Sequence, residues 1–227
     1  MANTNTLGFG LRSTMTVGNT PATQGQSEYK IQTAPGTSTF KGDPVNIQAA
    51  AGADGYLQDA AQGTMDDGIT GGVGWANNTA NIGLLTGVFN GAFFVDSTGK
   101  PTWANSVTAA VVTSTNYNTG SNEIDAFVIT DPMQEYTVRA DALLGATTAA
   151  AQALFNPAGT FYNVNSVDLL SPTNVDGMSR TTLDIGGSGA NNAFTMVRSA
   201  NIPNQNDLLS AGADVIVTIQ PASALYN

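Results

Sequence analysis

The chain has no cysteine and no histidine among its 227 residues. The first absence excludes a disulfide framework, a thiolate metal site and a cysteine nucleophile; the second removes the commonest general base and zinc ligand. Charge is scarce as well. Only 11% of residues are charged, with 7 Lys+Arg against 17 Asp+Glu and a net charge of -10. Seven basic residues scattered singly do not neutralise a phosphate backbone, so direct nucleic-acid binding is not expected, and the negative sign disfavours an anionic membrane surface. No run of about 18 apolar residues occurs, and Met1–Thr16 lacks a basic start followed by an apolar stretch. The expectation is neither a transmembrane span nor a secretory signal.

What the chain does have is uncharged polarity from Thr, Asn, Ser and Gln, laid over short β-type runs broken by turn residues. This texture predicts a mainly β fold, a β-barrel or β-sandwich with Gly-rich corners. Residues 1–26 are poor in apolar side chains, with Leu7, Phe9 and Leu11 as the anchors of the first half. Such a segment buries too little surface to fold alone, which leaves two readings: a disordered tail, or an extended arm that adds as a strand to a neighbour.

From Glu28 the strand pattern begins. Tyr29, Ile31 and Thr33 alternate, Ala34-Pro35-Gly36-Thr37 reads as a turn, and Ser38–Lys41 follows. Val45–Ala49 comes next; Pro44 lacks an N–H and fits the first position of that strand. Glycines at 68, 71, 72, 74, 83, 87 and 91 are interleaved with large apolar residues, the pattern of bulges and corners in a small closed barrel. Asp96-Ser97-Thr98-Gly99-Lys100-Pro101 predicts a hairpin turn between Ala92–Val95 and Thr102–Trp103. Further strands are expected at 109–113, 124–130, 136–139, 161–164, 179–185, 194–198 and 214–220, the last with clear period-2 alternation. One short helix is expected near 145–155, capped by Thr147 or Thr148 and stopped by Pro157. The expected division is 1–26 as arm, 27–140 as β body, and 141–227 as a second β segment, either separate or part of the same domain.

Chemistry is thin. Asp66-Asp67-Gly68 lacks the spacing and the closing Glu of a calcium loop, and Gly99-Lys100 is followed by Pro101 rather than by a phosphate-binding Ser or Thr. Carboxylate pairs for glycoside hydrolysis would have to come from Glu28, Glu123, Asp125 and Glu135. A serine nucleophile would need lysine as its base, yet Lys30, Lys41 and Lys100 read as solvated charges in turns or on β edges. Trp75 and Trp103 lie among alternating β residues and read as core or interface packing rather than stacking platforms. Asn77-Asn78-Thr79 is a formal glycosylation sequon and reads as chance. Neither a catalytic residue nor a cofactor or metal ligand is assigned.

Several runs carry a resemblance: Met1-Ala2-Asn3-Thr4-Asn5-Thr6 with Gly8-Phe9-Gly10; Glu28-Tyr29-Lys30-Ile31; Phe40-Lys41-Gly42-Asp43-Pro44-Val45; Gly87-Val88-Phe89-Asn90-Gly91 through Asp96-Ser97-Thr98-Gly99-Lys100-Pro101; and Ala213-Asp214-Val215-Ile216-Val217. Together they resemble the capsid cement or head-decoration proteins, a family of small virion structural proteins of tailed bacteriophages of aquatic bacteria. The resemblance implies a non-enzymatic protein on the outer surface of the capsid. Its partners would be the major capsid protein, whose neighbouring subunits it ties together, and copies of itself as a homotrimer. Within that expectation Leu7, Phe9 and Leu11 are the interface residues of a latching arm. The alternatives are another virion component, a major capsid or tail protein, or a carbohydrate-binding or host-adhesion β module.

Overall fold

The computed structural model describes residues 3, 7–17, 20–21, 25–31, 38–47, 55–59, 85–96, 98–108, 124–155, 160–165, 176–189, 192–202 and 206–220. In chain order the elements begin with strands β1 (Arg12–Thr16), β2 (Thr20–Pro21), β3 (Gln26–Ile31), β4 (Thr39–Phe40), β5 (Pro44–Ile47) and β6 (Leu57–Asp59). There follow β7 (Leu85–Val95), β8 (Pro101–Ala104), β9 (Ser106–Val107), β10 (Ile124–Ile129) and β11 (Gln134–Arg139). Helix α1 (Thr148–Ala153) precedes β12 (Phe161–Asn165), β13 (Thr182–Gly189), β14 (Phe194–Ser199) and β15 (Asp214–Ile219). The fold is mainly β with one short helix among the described residues, as the strand texture predicts.

Two curled sheets and a two-stranded pair, β4 with β9, make up the body among the described residues. In the first, pairings run in a ring: β10 with β3, β3 with β6, β6 with β5, β5 with β7, and β7 back to β10, with β8 added to the outer edge of β7. The ring closes through one parallel residue pair, Ile31↔Leu57, whereas β10 and β3 meet over six pairs from Ile124↔Ile31 to Ile129↔Gln26. β7 can serve three partners because it is long and bends. Its first half pairs with β5 and its second half with β8, with register shifts facing Gly87 and Gly91. These glycines thus lie within a strand at bulges, where a missing side chain lets the ladder kink. Alternation along β10 sends Ile124, Ala126 and Val128 into a core with Ile31, Phe89 and Phe94.

The second sheet has the order β13-β12-β14-β15-β11-β1-β2. It curls until β13 returns to the end of β11, where Ala140 and Leu183 form a parallel bridge and Asp141 N–H donates to Leu183 O at 3.0 Å. The result is a half-barrel around Tyr136, Val138, Tyr162, Leu183, Phe194, Met196 and Val217. Leu85, Val88 and Ile129 from the ring join this same core, so the two bodies share buried surface.

Strand pairing passes from the ring to the second sheet at the 131–133 turn. The Asp131–Met133 turn carries the chain out of the ring, and β11 then pairs with β15 rather than with any ring strand. Strands β1 and β2 join that second body as well, since β1 pairs with β11 and with β2. At Leu11, β1 and β2 the expected arm is therefore built into its own chain, and the strand starts at Arg12 instead of running through Leu7, Phe9 and Leu11. The reason is local: Leu11 supplies an apolar anchor and β11 offers an open edge, so the nearest available ladder is intramolecular. The helix is present but short. Thr147 Oγ1 accepts from Ala150 N–H at 3.2 Å, while Asp141–Gly145 stays non-helical. The expected strand at 109–113 and the turn at 34–37 lie outside the described residues, as do Trp75, Asp66–Gly68, Asn77–Thr79 and Glu123.

Candidate functional site

Four features can carry function: the groove beside the N-terminal segment, a buried carboxyl between the two bodies, a set of lysine and carboxylate contacts, and an aromatic face on the ring. The groove begins with two glycines. Any Cβ on Gly8 would fall inside the van der Waals surface of the Arg180 carbonyl, and at Gly10, where φ is +72°, a Cβ would run into the Ser179 side chain. A chain passing this close needs glycine, for space at residue 8 and for conformation at residue 10. Gly10 N–H then donates to Thr181 O at 3.1 Å and Leu11 N–H to Gly42 O at 2.9 Å, fastening the segment to both bodies.

This path places the three expected interface residues in three different settings. Leu7 is 61% exposed; Phe9 is half-buried, with the guanidiniums of Arg12 and Arg139 over its ring at 4.5 and 4.9 Å; Leu11 is 3% exposed. Leu11 is thus a core residue of its own chain and does not present a surface to a neighbour. An open groove of about 570 Å³ lies beside the other two, lined also by Arg180, Ile202 and Asp214. Three of the chain's seven basic residues meet here. Arg139 is held by Asp214 through two bonds, Nε–H to Oδ1 at 2.7 Å and Nη2–H to Oδ2 at 3.1 Å, and donates from Nη1 to Leu7 O at 2.9 Å. Arg180 pairs with Asp176 at 3.0 Å. Sequence reasoning missed this convergence because Arg12, Arg139 and Arg180 meet only through nonlocal strand pairing.

Asp43 is fully buried where the ring meets the second body. Its Oδ2 accepts from Phe40 N–H at 2.6 Å, and its Oδ1 accepts from Thr181 Oγ1 at 3.3 Å. Thr181 Oγ1 in turn accepts from Ser179 Oγ at 2.9 Å. Burial pushes the carboxyl up to about 7, and the hydrogen bonds from Ser179, Phe40 and Thr181 pull back only part of the way. Such a group ties segments together; it is closed off from any substrate. By contrast, Asp96 is held below the usual carboxylate range by the Thr98 hydroxyl and then by the Lys100 amide, which is turn chemistry.

The candidate catalytic carboxylates separate. Glu135 is buried in β11 and bound by Arg198 at 2.9 and 2.6 Å, whereas Glu28 and Asp125 lie on the ring, both contacting Lys30. Ser-x-x-Lys spacing occurs at Ser27–Lys30, Ser38–Lys41 and Ser97–Lys100. On strand β3 positions three apart face opposite sides, so Ser27 meets Thr130 at 3.0 Å and Lys30 meets Asp125 instead. No group of three or more metal-ligating side chains occurs among the described residues.

Trp103 is 67% exposed, which excludes the core half of its expected core-or-interface role. Its ring stacks on Phe127 with centroids 4.9 Å apart and planes 26° apart, and it meets Phe93 at 5.4 Å and 53°. No family model, curated protein or solved structure matches the chain. Function is therefore argued from these surfaces.

Proposed function

We propose that the chain is a non-enzymatic virion structural protein that binds the outer capsid surface and cements neighbouring major capsid subunits, working alongside copies of itself as a homotrimer. The observation that carries the reading is Leu7, 61% exposed at the rim of an arginine-lined groove, its carbonyl bonded by Arg139 and the Gly10 and Leu11 amides that follow it fastened to the body. A side chain fixed outward in this way offers an apolar anchor whose ordering cost is already met within the fold. Beside it, Arg12, Arg139 and Arg180 set against Asp176 and Asp214 leave a small positive excess on a chain of net charge -10, suited to a partner carrying a carboxylate next to an apolar side chain.

A second exposed apolar patch supports the tie between neighbours. Met15, Val17 and Met133 come together where Val17 N–H donates to Met133 O at 2.8 Å, and all three are more than 40% exposed. A cement needs at least two adhesive surfaces, because multivalency turns weak contacts into a firm hold. The runs that resemble capsid cement proteins, with the low charge that lets copies sit side by side, point the same way.

The test is co-sedimentation with capsids. Native protein is expected at a fixed ratio to the shell protein, and Leu7→Ser combined with Ile202→Ser is expected to lower that ratio at least tenfold with an unchanged melting temperature. Absence of native protein from the capsid fraction, or full occupancy by the double variant, overturns the reading.

A further inference from the structure

On strands of the ring, alternation sets which side chains share a face, and three adjacent strands deliver aromatics to the outside. Phe127 on β10, Phe93 on β7 and Trp103 on β8 all alternate away from the buried positions 124, 126, 92 and 94. Register completes the arrangement. Lys30, Asp125, Phe93 and Trp103 form one row across four strands, and Glu28, Phe127 and Gly91 form the row beside it. Gly91 has no side chain between Phe127 and the edge strand, which leaves room for the Trp103 ring to lie against Phe127 over the buried glycine. Three inter-strand steps make the first row about 14 Å long.

We propose that this strip is a binding site for a short neutral glycan. An exposed tryptophan on an edge strand is an aggregation hazard unless it meets a ligand or partner. Here the ring is backed by Phe127 and braced by Phe93, so its orientation is set before anything binds. The apolar face of a sugar ring stacks on such a platform, and its hydroxyls need donors and acceptors at the margin. Lys30, Asp125 and Glu28 supply both kinds at the end of the row.

Charge selects among the ligands that stack. One ammonium against two carboxylates leaves the strip slightly negative, within a chain of net charge -10, and this disfavours nucleotides and sialylated or uronic sugars. The extent of the row suits a short oligosaccharide better than a single ring. This inference does not depend on the capsid reading, since the strip involves none of the groove residues.

The experiment is an array of neutral and acidic glycans probed with the purified full chain, followed by titration of the best neutral ligand against variants. Neutral glycans are expected to bind; Trp103→Ala weakens the affinity roughly tenfold or more, while Trp103→Phe, which keeps an aromatic face, recovers part of the loss. Asp125→Asn with Glu28→Gln is expected to relax discrimination against sialylated ligands. Trp103→Ala is also expected to occupy capsids as the native chain does. A blank array, a preference of the native chain for acidic glycans, or unaltered binding by Trp103→Ala overturns the proposal. Loss of capsid occupancy or of self-association in Trp103→Ala, with no glycan bound, would make the strip a protein contact and overturn it as well, leaving the capsid reading to its own test.

Discussion

At the scale of single residues, Asp43 governs the pH response. Burial pushes its pKa in the folded chain up to about 7, against about 4 for an aspartate in water. Below pH about 4 the carboxyl is neutral in both states, and its stabilising contribution is fully present. Between pH about 4 and about 7 the unfolded chain releases the proton first, so stability is lost as pH rises, and above about 7 the native state holds a buried charge. Asp43→Asn keeps an acceptor for Phe40 N–H and adds a donor for Thr181. It is expected to melt higher than the native chain at pH 8 and to show a flatter melting profile from pH 4 to 7; an unchanged slope would contradict this account. Part of the residue-scale picture was legible in advance. The place of Pro44 at the head of β5 follows from its missing N–H, and the Asp96–Pro101 turn follows from its composition. The settings of Leu11 and Trp103 were not legible, because the apolar identity of a side chain does not say which surface covers it, and alternation has no sign until a partner strand fixes the inner face.

Among the elements, β1 carries the sharpest prediction. It lies between β11 and β2 in the second sheet, and Leu11 just before it is buried in the shared core. Leu11→Ala is expected to cost about 2 to 5 kcal/mol by calorimetry or denaturant titration, as other buried leucines do. Deletion of residues 2–20 removes the strand outright and should abolish the cooperative transition, whereas a free latching arm would leave that transition intact. Thr147→Ala should cost about 1 kcal/mol through the lost cap on α1, detectable as a small fall in melting temperature. Period-2 patterning made β3, β5, β10 and β15 readable to within a few residues. What it could not convey was which strands pair. β1 meets β11 and β11 meets β15 across long stretches of chain, and local alternation is the same whichever ladder a strand joins.

For the whole molecule, the shared core predicts a single unfolding transition. Leu85, Val88 and Ile129 belong to ring strands, yet they pack with Tyr136, Val138 and Phe194 of the half-barrel. Near-ultraviolet signals from the aromatic strip and far-ultraviolet signals from the sheets are therefore expected to melt together, and Ile129→Ala should lower both by the same amount. Two separate transitions would show the bodies to be independent. The arginine groove also belongs to this scale: three basic residues far apart in sequence meet only once the half-barrel has closed, which is why composition suggested no basic spot. The N-terminal fastening has a mechanical consequence. Tension applied at Leu7 reaches Gly10 and Leu11, whose amides are bonded to Thr181 in one body and to Gly42 in the other. A pull there is shared between two frameworks at once, so the segment resists being peeled away one ladder bond at a time.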